Sequence, residues 1–276
     1  MKNILVVSGS ARKNGNTMSM VKIIQEEMER LDTDVAFEYL YLIDQKLDYC
    51  IGCSICLRKG GHNCPLKDDK EMILEKMIQA DGIIFASPGY AGMVSGMFKN
   101  FIDRFMYQDH IPEFVGKPTL IVSTSGGDGV MGAPKYMANC SFYWWGCHVV
   151  DIIGIGHAFY TVHHKSKLKY TRRLKAAAKK LLVAAIDKPL SKPNFRQYIY
   201  FMFNKTELEI SPTVMPYRTD VWREKGWMDM NYYYDTKINP FYIVFTKIAF
   251  GLMKLVYKNL LGKDADKALA DYVQNN

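Results

Sequence analysis

The sequence predicts an α/β protein: a doubly wound, five-stranded parallel sheet followed by an α-helical, aromatic-rich C-terminal extension. Three observations predict it. Continuously apolar runs of strand length, such as Ile4-Leu5-Val6-Val7, suit strands covered on both faces. Through the first two-thirds of the chain these runs alternate with apolar stripes at helical spacing, the signature of strands crossed over by helices. At Lys188-Pro189-Leu190-Ser191-Lys192-Pro193 the pattern stops at a proline-bearing connector, so domains of 1–187 and 188–276 are expected.

Strands are expected at Asn3 to Ser8, Val35 to Leu42, Gly82 to Ala86, Thr119 to Thr124 and Val149 to Ile155. Between them, Met20, Ile24, Met28 and Leu31 make one helical stripe, and Val94, Met97, Phe98, Phe101, Ile102 and Phe105 make another. Asp68 or Asp69 offers a cap for a short helix through Met77. Leu174, Ala178, Leu181, Leu182 and Ala185 recur at helical spacing inside a basic run from Lys165 to Lys180. In the extension, Asn194 to Ile210 reads as a helix ended by Pro212 and Pro216, and Trp222 to Asp235 as irregular but too aromatic for a free loop. Asn239 to Leu261 is the longest apolar stretch; Lys247, Lys254 and Lys258 form a stripe along it, which argues against a transmembrane span and for a lid or dimer interface, with a bilayer surface as the less favoured alternative.

With 49% hydrophobic and 23% charged residues among 276, the chain is neither disordered nor collagenous. The net charge of +8 raises nucleic acid as a partner, but the excess concentrates in the Lys165 to Lys180 run. No aromatic interleaving accompanies it, so a solvated helix face is expected and no nucleic-acid binding. The apolar run at the N-terminus is too short for a signal peptide, which makes a cytoplasmic location the expectation. Six cysteines in such a chain point to reduced thiols, metal ligands or redox chemistry.

Three loops carry chemistry. The first strand runs into Ser8-Gly9-Ser10-Ala11-Arg12-Lys13-Asn14-Gly15-Asn16-Thr17, a small, hydroxyl-rich loop with two cations that feeds a helix N-terminus, where phosphate binds. It matches neither the dinucleotide fingerprint nor the ATP-binding loop; the bland alternative is a turn capped by Asn16 or Thr17. The third strand ends in Ser87-Pro88-Gly89-Tyr90-Ala91-Gly92 and the fourth in Ser123-Thr124-Ser125-Gly126-Gly127-Asp128-Gly129. Open parallel sheets bind ligands at the carboxyl ends of strands, so the three loops belong to one site. Separately, Cys50, Cys53, Cys56 and Cys64 form a C-x2-C-x2-C-x7-C-P pattern, with Gly60 and Gly61 in the return. A four-iron, four-sulfur cluster, zinc held by Cys50, Cys53, His62 and Cys64, and plain thiols all stay open. Cys140 and Cys147 are expected to pack. His110, His148, His157, His163 and His164 belong to no hydrolytic constellation, and Asp128 is ambiguous.

On these loops and on the cysteine pattern, residues 1 to 185 resemble the flavodoxin-like NAD(P)H-dependent FMN reductase family, in particular its iron-sulfur flavoproteins. The resemblance implies that Ser8, Ser10, Arg12, Asn16 and Thr17 hold the FMN phosphate. It implies that Pro88, Gly89, Tyr90, Ala91 and Gly92, with Thr124, Ser125, Gly126 and Gly127, flank the flavin ring. Ala11 departs from the proline that the family often has there. The implied activity is hydride transfer from NAD(P)H to FMN, with electrons passed to a quinone, a small electrophile or a protein acceptor. No catalytic acid or base is needed, because the flavin carries the chemistry. A homodimer is expected, and some members hold a cluster on the four cysteines. The rival reading is a non-enzymatic FMN and iron-sulfur electron carrier between proteins.

Overall fold

The computed structural model describes residues 1–127 and 130–261. Asp128, Gly129, the side chain of Lys258 and residues 262–276 of the expected extension lie outside what is described. The chain divides into two compact units. The first comprises Met1–Ile51, Leu66–Met106 and Glu113–Pro189; the second comprises Gly52–Pro65, Tyr107–Pro112 and the chain from Leu190.

In the first unit five strands run parallel: β1 (Lys2–Ser8), β2 (Val35–Tyr41), β3 (Gly82–Tyr90), β5 (Pro118–Ser125) and β6 (His148–Gly156), in the order β2-β1-β3-β5-β6. This is the doubly wound order, with its switch point between β1 and β3. A two-residue strand absent from the sequence expectation, β4 (Met93–Val94), pairs antiparallel with the end of β3 and makes the sheet six-stranded. The expected third strand ends at Ala86, with Ser87 to Gly92 read as a loop, yet β3 continues to Tyr90. Pro88 sits near the end of the strand, in register with Thr124, where a missing N–H costs little. Tyr90 pairs with Met93, leaving Ala91 and Gly92, at φ 49° and 77°, as a two-residue turn. Both turn residues have the positive φ that the tightest hairpins require.

Helices cover both faces of the sheet. On one, α1 (Asn16–Leu31) and α7 (His164–Asp187) bury Ile24, Met28, Leu174, Ala178 and Leu181 against Ile4, Val6, Ile84 and Val122. The opposite side is aromatic: Phe85 stacks on Phe142 at 3.8 Å and meets Phe98 and Phe101 of α4 (Gly96–Arg104) and Trp145. Short helices α3 (Lys70–Gln79), α5 (Gly132–Met137) and α6 (His157–Val162) complete the series up to α7, while α2 (Ile55–Lys59) belongs to the second unit. The basic face of α7 is partly neutralised, with Lys175 3.1 Å from Glu27 and Lys180 2.8 Å from Asp151.

The second unit is helical, with α8 (Phe195–Ile210), α9 (Pro216–Glu224) and α10 (Pro240–Leu261). Asn194 caps α8 through a reciprocal pair with Gln197. Pro216 opens α9 as its first residue, where a proline suits a helix, instead of only ending the preceding one. The Trp222 to Asp235 stretch supplies the core of this unit: Trp222, Trp227, Tyr232 and Tyr233 are buried and pack around Phe201. By length and composition α10 is long and apolar enough, over Pro240–Tyr257, to cross a membrane, and almost none of that stretch is buried.

Candidate functional site

The loops after β1, β3 and β5 open on one cavity of about 380 Å³ at the carboxyl edge of the sheet. Small-molecule sites occupy about 300–1,000 Å³. Ser10, Arg12, Asn16, Thr17, Pro88, Gly89, Tyr90, Thr124, Ser125 and Gly126 line it, and Gly15 and His157 join them. Ser8, Ala91, Gly92 and Gly127 do not line it. Ser8 is fully buried behind the loop: its hydroxyl donates to Met18 Sδ at 3.2 Å and accepts from the Ser10 amide at 3.3 Å. Ala91 and Gly92 form the β3–β4 turn.

The first loop is held in shape by its own side chains. Ser10 Oγ accepts from the Arg12 amide at 3.2 Å and donates to the Arg12 carbonyl at 3.0 Å, and Gly15 N–H donates to the same carbonyl at 3.1 Å. Gly9 N–H donates to the Ala86 carbonyl, and Ser95, which caps α4, donates to the Gly9 carbonyl at 2.7 Å. A Cβ on Gly9 would stand 2.6 Å from Phe98 Cβ, so only glycine fits this crossing. A 2.7 Å hydrogen bond between Thr17 Oγ1 and Thr124 Oγ1 ties the first loop to the β5 loop.

What remains is available to a ligand. The N-cap of α1 is Gly15, with no side-chain cap, while Asn16 and Thr17 are the first helical residues. The alternative of a turn capped by Asn16 or Thr17 is therefore not what the chain adopts. An uncapped helix start offers backbone N–H groups and a positive dipole end to an anion. Two of the lining residues, Ser125 and His157, each carry a buried polar atom without a hydrogen-bond partner, Ser125 Oγ and His157 Nδ1. Arg12 contributes positive charge, and no acidic residue among the described ones lines the cavity. Lys13 does not add to that charge: it turns to Asp44, at 2.6 Å, and lies over the Tyr41 ring. The exposed Tyr90 presents its ring at the rim.

These features fit FMN. The uncapped helix start suits its phosphate, and the orphaned donors and small-residue loops suit the polar edge of its ring. Sequence reasoning missed two lining residues. Gly15 is hidden by the more conspicuous hydroxyls beside it. His157 follows β6 directly, so it stands at the same sheet edge as the β5 loop, a placement that the strand order reveals.

None of the four cysteines is in a disulfide; Cys50 is exposed and Cys53, Cys56 and Cys64 are half-buried. Gly52, Ser54 and Gly60 have positive φ, and the Arg58 guanidinium donates to the Cys53 carbonyl at 2.8 Å. Four thiolates suit an iron-sulfur cluster in kind. Among the described residues no three His, Cys, Asp or Glu side chains gather closely enough to hold a metal ion. No chemical step is therefore routed through a cluster. Cys140, expected to pack, is exposed, whereas Cys147 is buried and its thiol is pushed up to about 12 by desolvation.

The sheet order, the convergent loops and the uncapped helix start define a flavodoxin-like fold whose carboxyl edge carries a cavity suited in kind to a phosphate-bearing ligand. Residues 2–159 match the model of the NADPH-dependent FMN reductases, and the chain belongs to that family. It is similar to an iron-sulfur flavoprotein of Clostridioides difficile, 41% identical over 102 residues, which are 37% of this chain and 44% of that one. An iron-sulfur flavoprotein of Methanocaldococcus jannaschii is 40% identical over 102 residues, 37% of this chain and 50% of that one. The matches thus span about half the length of these relatives. In three dimensions the chain resembles an oxidoreductase from Corynebacterium diphtheriae at a TM-score of 0.53 and 17% identity, covering 68% of this chain and 98% of the other. That likeness is one of fold.

Proposed function

We propose that this chain is an FMN-dependent oxidoreductase that takes electrons from NAD(P)H and delivers them to a small electrophile, a quinone or a protein acceptor. One observation carries the reading: an uncapped helix start and two residues with orphaned buried polar atoms line a single cavity at the switch-point edge of the sheet. Family membership supports it. Bound FMN supplies hydride acceptance and onward electron transfer. The chain's part is to bind and orient. In this reading the N–H groups that open α1, with Arg12, hold the phosphate, and the Thr17 to Thr124 hydrogen bond keeps two of the loops at fixed separation. Backbone N–H groups of the Thr124 to Gly127 loop and the Ser125 hydroxyl favour negative charge at the polar edge of the ring, a preorganised electrostatic contribution. Tyr90 covers an exposed ring face.

Combining Asn16→Ala with Thr17→Ala removes an amide at the helix start and the tie to Thr124. FMN binding should weaken by about 2 kcal/mol, roughly thirtyfold. Titration of apoprotein with FMN, followed by flavin fluorescence, measures it; unchanged affinity overturns the phosphate assignment.

The same reading includes a cluster on Cys50, Cys53, Cys56 and Cys64, supported by their spacing and by the names of the iron-sulfur flavoprotein relatives. Metal binding and local folding are coupled, so the thiols would gather as iron is supplied. Anaerobically purified protein should then carry roughly four iron atoms per chain. Iron absent from such preparations leaves the cysteines as thiols or zinc ligands.

A further inference from the structure

The second unit carries a surface that the flavin chemistry does not use. One side of α10 packs on α8: Tyr242 lies 5.1 Å from the Phe195 ring and 6.3 Å from Tyr198, and Phe250 lies 6.4 Å from Phe203. Tyr257 shares a 2.6 Å hydrogen bond with Ser211, and Lys254 pairs with Glu209. The other side faces outward. Phe241, Phe245, Ile248, Leu252 and Leu255 are exposed by 83%, 51%, 61%, 58% and 56%. At about 100° per residue these positions, flanked by the exposed Val244 and Val256, form one stripe about as wide as the one by which a helix normally joins a core. Phe195, also exposed, sets its ring 5.3 Å from Phe245 and carries the apolar face onto the start of α8.

Charge identifies the occupant. From Pro240 to Leu261 the chain has no acidic residue. Lys247 is exposed along one flank of the apolar stripe, on the side where Lys254 is held by Glu209, and Arg196 is exposed beside Phe195. A second copy on this face would gather like charges along its flank. An anionic surface complements them, and lysines with long apolar stems can reach headgroups beside a buried stripe. The side of α10 turned to α8 is engaged in an ion pair, a hydroxyl hydrogen bond and ring contacts, so only one side is free to meet lipid.

We propose that the outward face of α10, extended by Phe195, docks in the plane of an anionic membrane surface, with Lys247 and Arg196 at headgroup level. The helix lies in the interface and does not span it. This proposal is independent of the flavin reading, since every residue it uses belongs to the second unit.

The test uses the full chain with vesicles of phosphatidylcholine alone and of phosphatidylcholine with phosphatidylglycerol, separated by flotation at low and high salt. Binding to the phosphatidylglycerol vesicles should exceed binding to the neutral ones by roughly tenfold and fall as salt screens the headgroups. The Phe245→Glu, Leu252→Glu pair, both at exposed positions, should abolish it without changing the far-ultraviolet circular dichroism. Lys247→Ala with Arg196→Ala should remove the preference for phosphatidylglycerol. Equal, salt-insensitive binding to both vesicles that survives alkaline carbonate would mean a spanning helix and overturn the proposal. So would absence of vesicle binding, whether the chain sediments as a monomer or as a dimer that Phe245→Glu, Leu252→Glu dissociates.

Discussion

Arg104→Met tests how the first unit anchors both flanks of the cysteine segment. Arg104 and Asp68 form an ion pair with side chains 1% and 0% exposed. Arg104 Nη2 donates to Asp68 Oδ1 at 3.0 Å, and Nη1 donates both to Asp68 Oδ2 and to the Asp48 carbonyl, the latter at 2.7 Å. Asp68 also accepts from the backbone N–H groups of Asp48, at 2.9 Å, and Lys70, at 3.2 Å. One arginine on α4 therefore fastens residue 48, before the cysteines, and residue 68, after them. Asn100, a turn earlier on α4, adds a hydrogen bond to the Leu47 carbonyl at 2.9 Å. The variant leaves a buried carboxylate with only two backbone donors, and breaking such a pair costs about 3–5 kcal/mol. Arg104→Met with Asp68→Asn removes the uncompensated charge and keeps an acceptor for one of the two amides, which bind different oxygens of Asp68. Its cost should fall to about 1–2 kcal/mol, the scale of the remaining lost hydrogen bonds.

The pH dependence follows. Burial pushes the Asp68 carboxyl up, but Arg104 and the two amides outweigh it and hold it below the usual carboxylate value. A lowered native pKa stabilises the fold above the unfolded value near about 3.9, and that contribution is lost as pH falls through the native value. Without Arg104, burial dominates, so the variant's deficit should be largest at neutral pH and shrink in acid. Urea unfolding at neutral and acidic pH gives the energies, and hydrogen exchange at the Asp48 and Lys70 amides reports the local loss. A single variant that costs under about 1 kcal/mol, or a double variant no more stable than the single, refutes the reasoning.

Two further outcomes are expected. A Cβ on Gly132 would stand 2.0 Å from the Gly92 carbonyl oxygen, a backbone atom of the β3–β4 turn; Gly132→Ala should cost about 1–3 kcal/mol and raise the FMN dissociation constant, both measurable by titration and unfolding. Cys140 and Cys50 are exposed while Cys147 is buried with its thiol pushed up to about 12, so an aromatic disulfide reagent at mildly alkaline pH should label the first two in native protein and Cys147 only after denaturation, as mass spectrometry will show.

Much of the first unit is legible because its signals are local. Ile4 to Val7 announce a strand buried on both faces, and all four are fully buried. The stripe Met20, Ile24 and Met28 names the face that α1 buries. The unread parts depend on partners distant in sequence. The segment from Ser87 reads as a loop until β5 is placed beside it, and His157 looks inert until the strand order sets it at the cavity. The second unit draws in Gly52–Pro65 and Tyr107–Pro112, which no periodicity near Leu190 announces. In α10 the apolar period is correct, but Phe241, Phe245, Ile248, Leu252 and Leu255, which it predicts as buried, are exposed among the described residues.

The hydroxyls that made the first loop conspicuous do different work from the one their chemistry first suggests. Ser8 is spent on Met18 and the Ser10 amide, Ser10 on Arg12, and Thr17 on Thr124, while Ser95 holds Gly9. A side chain that has already formed its hydrogen bonds within the loop has less to offer a ligand, but it fixes where the backbone points. The groups left open are of another kind: the uncapped N–H groups of α1, Ser125 Oγ and His157 Nδ1. A phosphate is best held by donors that cannot rotate away, and helix amides meet that requirement where serine hydroxyls do not. It follows that Ser10→Ala should weaken FMN by loosening the loop and therefore alter the exchange of the Arg12 amide even without flavin. Ser125→Ala, which removes an orphaned donor, should weaken flavin binding while leaving the exchange of the apoprotein loop as it was.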